Sequence, residues 1–161
     1  MGIIHPHLWY DDNALQAAEF YVSIFPNSRI TNVVYAPADM PGVRQGDPFI
    51  VQYELDGQRV EAISAGPEPK LNAAFSFVVD CADQAEVDHY WDALLAGGGQ
   101  EVQCGWLTDR FGVSWQVVPR QAMELMLSPT ADPAGAARAT QVMLTQKKLD
   151  IAALEAAYRG D

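Results

Sequence analysis

Residues 3–30 read IIHPHLWYDDNALQAAEFYVSIFPNSRI, and the spacing of apolar positions within them decides the fold. IIHPHLWY (3–10) has the content of a short strand that stops at Asp11-Asp12-Asn13, residue types that cap helices. The period then changes. Ala14, Ala17, Ala18, Tyr21, Ile24 and Phe25 recur at spacings of three and four, drawing one apolar stripe along a helix that Pro26-Asn27-Ser28 stops. RITNVVYAP (29–37) returns to a strand pattern. Beyond a Pro/Gly-rich loop from Ala38 to Pro48, FIVQYEL (49–55) and QRVEAISAG (58–66) flank Asp56-Gly57, a favoured pair for a two-residue hairpin turn. The order through residue 66 is strand, helix, strand, strand, strand.

The same order returns from residue 72. AAFSFVVD (73–80) is a strand, and Asp83 with Glu86 forms a capping-box-like start to a helix whose apolar face is Val87, Tyr90, Trp91, Leu94 and Leu95. Gly97-Gly98-Gly99 ends it. Residues 100–104, 106–111 and 114–118 supply three further short strands. Matching Asp11 to Asp80, an offset of 69, puts Tyr21 on Tyr90; matching Gly57 to Gly112, an offset of 55, puts Glu61 on Gln116. The expected fold is α+β: two βαβββ modules, 1–66 and 72–119, forming a cupped mixed sheet with flanking helices within a single 161-residue domain. From 120 to 161 the composition shifts to Ala, Leu, Met and Gln, which predicts a helical tail over 121–127, 134–146 and, after an Asp150 cap, 151–158.

Composition narrows the function. Twenty-one acidic against ten basic residues give a formal charge of -11, which argues against nucleic acid and anionic membranes as partners, because phosphate binding needs a cationic face. No apolar run approaches the ~18 residues of a membrane helix, and Met1-Gly2-Ile3-Ile4 lacks a cationic leader. Cys81 and Cys104 form no CxxC and no zinc spacing with histidine. A cytoplasmic protein with free thiols is expected. Strand edges left open by two small sheets need cover, so a homodimer is expected, with the tail and first strands as interface elements.

LWYDDNALQAAEFYVSIFPNSRI (8–30), ELDGQ (54–58), AISAGP (62–67), DQAEVDHYWDALLAGGG (83–99) and CGWLTDRFGVSWQVVP (104–119) resemble the PhnB-like family, often labelled 3-demethylubiquinone-9 3-methyltransferase, of the vicinal oxygen chelate superfamily. The tail KKLDIAALEAAY (147–158) shares the resemblance. The superfamily includes glyoxalase I, extradiol dioxygenases, and fosfomycin and bleomycin resistance proteins. The resemblance implies paired βαβββ modules and, in metal-using members, a divalent ion held by the first and last strands of each module. Those positions carry His5 and Glu61 in the first half, Ala74 and Gln116 in the second. Imidazole and carboxylate bind divalent ions, alanine cannot, and a neutral amide is a weak ligand. No cofactor or tightly bound metal is therefore expected, with His5, His7 and Glu61 as the fallback ligand set.

The expected function is binding of a small molecule, with catalysis left open. His5, His7, Trp9, Glu61, Ser64, Ser76, Trp106 and Gln116 are the candidate binding residues, and Glu61 is the candidate general base. His7 and Trp9 follow His5 at two-residue steps and so share a strand face. The alternative is non-catalytic drug sequestration of the bleomycin-resistance type, in which the acidic balance would attract a cationic drug. The quinone-pathway methyltransferase label ranks below both. The glycine run at 97–99 follows a helix, whereas an S-adenosylmethionine cradle opens one after a strand.

Overall fold

The computed structural model describes residues 2–161 and divides the chain into two compact units, one ending at Leu71 and one spanning Asn72–Asp161. In the first unit β1 (His7–Tyr10), α1 (Ala14–Ile24), β2 (Arg29–Tyr35), β3 (Pro48–Leu55) and β4 (Gln58–Ser64) give a sheet of order β1-β4-β3-β2. β1 runs parallel to β4, and the other pairs are antiparallel. The second unit repeats this with β5 (Ser76–Cys81), α2 (Gln84–Leu95), β6 (Gln100–Glu101), β7 (Trp106–Thr108) and β8 (Ser114–Pro119) in the order β5-β8-β7-β6, with β5 parallel to β8. The tail forms α3 (Arg120–Leu127), α4 (Pro133–Met143) and α5 (Ile151–Arg159). The fold is α+β, built from paired βαβββ modules and a helical tail.

In unit 1, Ala14, Ala17 and Ala18 let α1 approach the sheet closely, and Tyr21 fills the space beyond them, its ring stacked 6.5 Å from that of Tyr53. Val51, Tyr53, Val60 and Ala62 are among the buried sheet positions. Burying each of the two valine side chains contributes on the order of 1.5–3 kcal/mol. Alternation then turns Gln52, Arg59, Glu61 and Ile63 to the opposite face. The Asp56-Gly57 turn is as expected, with φ of 46° and 80°. The start of α1 is not: Asn13 makes no side-chain cap. Ser64 Oγ instead accepts from Ala14 N–H at 3.0 Å, because β1–β4 pairing brings Tyr10 opposite Ser64 at the helix entrance.

Several strands are shorter than expected. The first begins at His7: Ile3 and Ile4 are exposed, and Pro6 has no N–H, though its carbonyl still accepts from Glu61 N–H at 3.0 Å. The strand expected at 106–111 ends at Thr108, because Asp109 Oδ1 takes the N–H groups of Phe111 (2.8 Å) and Val113 (3.1 Å) and folds the chain into a turn. The strand expected at 100–104 ends at Glu101. Cys104 and Gly105 lie at positive φ, and their N–H groups donate to Gln146 and Lys147 carbonyls, both at 2.8 Å.

Those bonds dock the tail on its unit. Leu149 and Leu154 pack with Val118 and Ala122, and the Gln84 amide both donates to Leu149 O and accepts from Ile151 N–H. Asp83 caps α2 through Glu86 N–H, as expected, and Asp150 caps α5 through Ala153 N–H. Lys148 Nζ lies 2.8 Å from Asp88, whose carboxyl is held below its ordinary range first by that bond and then by Gln84.

Cys81 is fully buried, and burial, then Glu86, Asp80 and Asp83, push its thiol up to about 12. The unfolded thiol ionises near its ordinary 9.0, so this group's contribution to stability is full below that pH and falls as pH rises towards 12. The thiolate is the reactive form. At pH 8 iodoacetamide is expected to label half-buried Cys104 and spare Cys81, as peptide mass mapping reads; equal labelling would contradict the burial.

Candidate functional site

The face of sheet 1 turned away from α1 carries the candidate chemistry. β1–β4 register pairs His7 with Glu61, β3–β4 register pairs Gln52 with Glu61, and β2–β3 register pairs Asn32 with Gln52. His7, Glu61, Gln52 and Asn32 therefore form one polar row across four strands. The row is wired: Asn32 Nδ2 donates to Gln52 Oε1 (3.4 Å), and Gln52 Nε2 donates to Glu61 Oε2 (2.8 Å). His5 Nε2 lies 3.9 Å and Arg59 Nη2 3.6 Å from Oε2, and His7 Nε2 lies 3.5 Å from Oε1. The Glu61 side chain is only 17% exposed, so these neighbours replace most of its water. Among the described residues Oε1 accepts no hydrogen bond, whereas Oε2 is anchored. His5 Nδ1 is buried without a partner.

Of the expected site residues, His5, His7 and Glu61 come together. Trp9 lies one two-residue step along the same face, half-buried, its indole N–H donating to Gly66 O at 2.9 Å. Ser64 is buried, and its hydroxyl serves the α1 start. In the second unit Gln116 Nε2 donates to Ser76 Oγ at 2.9 Å, and half-buried Trp106 is Gln116's register partner on β7. Trp115 alternates with Gln116 to the other face, where its indole donates to Asp109 Oδ2 at 2.8 Å and its ring lies 5.0 Å from Phe77. Two surface depressions lie elsewhere: one of about 560 Å³ by Asp12, Met40 and Arg44, and one of about 420 Å³ by Glu124, Glu155 and Tyr158.

Register corrects the internal alignment. Glu61 pairs with His7, and its counterpart Gln116 pairs with Val78. The offset between first strands is therefore 71, not 69, which makes Ser76, rather than Ala74, the counterpart of His5. The Ser76–Gln116 hydrogen bond is unit 2's neutral version of the His5–Glu61 contact.

A divalent ion does not fit the unit 1 set. Gln52 already donates to Oε2, and the Arg59 guanidinium stands 3.6 Å from it, placing positive charge where a cation would bind. Among the described residues no group of three His, Cys, Asp or Glu side chains is placed to hold a metal. Elemental analysis after dialysis is expected to find far less than one zinc, nickel, iron or manganese per chain; about one would restore His5, His7 and Glu61 as ligands.

Gln52, Arg59 and Asn32 are additions that motif reading did not single out. Paired βαβββ units of this register place the protein in the vicinal oxygen chelate superfamily. Within it, residues 3–118 match the family described as 3-demethylubiquinone-9 3-methyltransferase, and the chain belongs to that family. A PhnB protein from Bacillus cereus carrying the same description is 25% identical, with a TM-score of 0.64 over 73% of this chain and 99% of its own. A protein from Pseudomonas aeruginosa is 20% identical, with a TM-score of 0.60 over 73% and 96%. The FosX fosfomycin resistance protein from Listeria monocytogenes is 15% identical, with a TM-score of 0.49 over 73% and 91%. No curated protein matches the chain. The family match ends at residue 118, so it does not reach the tail at 147–158. Among the described residues no helix is long and apolar enough to cross a membrane.

Proposed function

We propose that the protein binds a small organic molecule on the polar face of sheet 1 and that Glu61, without a metal, takes a proton from it. The supporting observation is the unequal treatment of the two carboxylate oxygens: Gln52 fixes Oε2, while Oε1 faces His7 without a hydrogen bond. A general base needs a fixed carboxylate with one oxygen free to accept a proton. His7 is placed to donate to a developing oxyanion when its Nε2 carries hydrogen. Trp9 supplies an apolar wall. Within unit 2, Trp106, Ser76 and Gln116 make an aromatic and neutral polar set of their own; Ser64, committed to α1, takes no part in the proposed site.

The test uses benzylacetone, a neutral ketone with weakly acidic carbon-bound hydrogens. In heavy water, proton NMR reads both its binding and its exchange of those hydrogens for deuterium. Exchange by the native protein that is lost in Glu61→Gln with binding retained supports the proposal. Binding without exchange overturns proton abstraction in favour of sequestration of the bleomycin-resistance type. Methyl transfer remains outside the proposal, because Gly97-Gly98-Gly99 closes α2 and cradles nothing at a helix start. Calorimetric binding of S-adenosylmethionine would overturn that exclusion.

The proposed assembly is a cytoplasmic homodimer. In sheet 1 the order leaves β1 and β2 as edges, and β2 exposes Val34 and Tyr35. Light scattering at micromolar concentration is expected to give twice 17.6 kDa; a monomer alone would remove the dimer.

A further inference from the structure

Along β4 the chemistry of the sheet 1 face changes at every second residue. Arg59, Glu61 and Ile63 point the same way, about 6.6 Å apart, and each heads a row continued by its register partners. Arg59 is continued by Glu54 and Arg29. Glu61 is continued by Gln52 and Asn32 on one side and His7 on the other. Ile63 is continued by Ile50 and Val34 on one side and Trp9 on the other. A cationic end, a reactive centre and an apolar end thus lie in line within about 13 Å.

We infer that the ligand of this face is an amphipathic organic carboxylate, with its apolar body on the Trp9–Ile63–Ile50 row and its carboxylate on Arg59. This rests on the proposal that the face binds a ligand. The two arginines differ in commitment. Arg29 Nε is bonded to Glu54 at 3.1 Å, whereas the nearest carboxylate oxygen to Arg59 is that of Glu61 at 3.6 Å, beyond hydrogen-bond length. A guanidinium has five donors in a planar fork and can hold a ligand carboxylate while still neighbouring Glu61. A monoanion suits the site better than a phosphate, whose second charge would face Glu61 at close range. Half-buried Trp9, Ile50 and Ile63 give the other end an apolar bed. A ligand that joins the two ends by a short carbon tether lays that tether over Glu61.

The experiment titrates isotope-labelled full-length protein with phenylbutyrate and with its uncharged amide, phenylbutyramide, at low salt. Amide shifts in β1 and β4 locate binding. Phenylbutyrate is expected to bind about tenfold more tightly than the amide, the range of one charge-assisted contact. Arg59→Gln should remove that advantage and leave the amide's affinity unchanged. Ile50→Ala should weaken both by the same factor. Equal affinity of the two compounds, or an unchanged phenylbutyrate affinity in Arg59→Gln, overturns the carboxylate assignment. If shifts in β1 and β4 persist in that case, ligand binding by the face still stands. If neither compound perturbs sheet 1, both the carboxylate assignment and the binding face fall.

Discussion

Asp109→Ala is expected to destabilise the protein by about 2–5 kcal/mol, the cost of breaking a buried hydrogen-bond network and leaving its donors unsatisfied at about 1–3 kcal/mol each. Asp109 is 4% exposed, and its two oxygens accept from Phe111 N–H, Val113 N–H and the Trp115 indole. Alanine removes both acceptors and strands at least the Val113 and Trp115 donors, which lie at nearly buried positions. The turn they fix joins β7 to β8, the strand that pairs with β5 and carries Gln116. Asp109→Asn separates shape from charge. One amide oxygen can still serve the backbone donors, but the NH₂ then meets the indole N–H, donor against donor. Trp115→Phe removes that conflict, so the double variant with Asp109→Asn is expected to be more stable than the sum of the single losses. Urea denaturation measures the native protein and all four variants. A loss under about 1 kcal/mol for Asp109→Ala would mean that water or backbone adjustment replaces the carboxylate.

The same aspartate shows where sequence patterns stop being informative. Within WLTDRFGVSW the apolar alternation suggests that strand continues through Phe111, yet aspartate is poor strand material, and Asp109 followed by Gly112 has the makings of a turn. Local signals were legible: the Asp83 and Asp150 caps, the α1 stripe and the Asp56-Gly57 turn depend on residues a few positions apart. That turn fixes more than a loop. Counting back from it places Glu54 opposite Arg59 and Gln52 opposite Glu61, so the Gln52 contact could have been found from the hairpin alone. The parallel pairing of β1 with β4 has no such ruler, because α1 and two strands intervene. The offset of 69 came from matching Asp11 to Asp80, but Asp11 follows its strand whereas Asp80 lies inside β5. Three residues separate β1 from α1 and only two separate β5 from α2, so strands and helices have different offsets. Ser64 was legible as polar, but its service to a helix start 50 residues away required the sheet to exist first.

Glu61→Gln is expected to slow deuterium exchange into benzylacetone by about 10²–10⁴-fold, the contribution of a positioned general base. The substitution changes charge and basicity while keeping size, and its amide oxygen can still accept from Gln52, so benzylacetone affinity should stay within about threefold of the native value. That separation of rate from affinity distinguishes the removal of a base from disruption of the face. Gln52→Leu acts one step earlier. It removes the donor that holds Oε2 at 2.8 Å and leaves the carboxylate to Arg59 and the histidines, so its expected loss is smaller, about tenfold. In the double variant the Gln52 effect should vanish, because there is no longer a base to position. If Gln52→Leu slows exchange equally in the presence and absence of the Glu61 carboxylate, its effect does not run through Glu61 and the assigned wiring fails. If Glu61→Gln exchanges deuterium as fast as the native protein, the base lies elsewhere, and the row from Asn32 to His7 serves the sheet rather than a reaction.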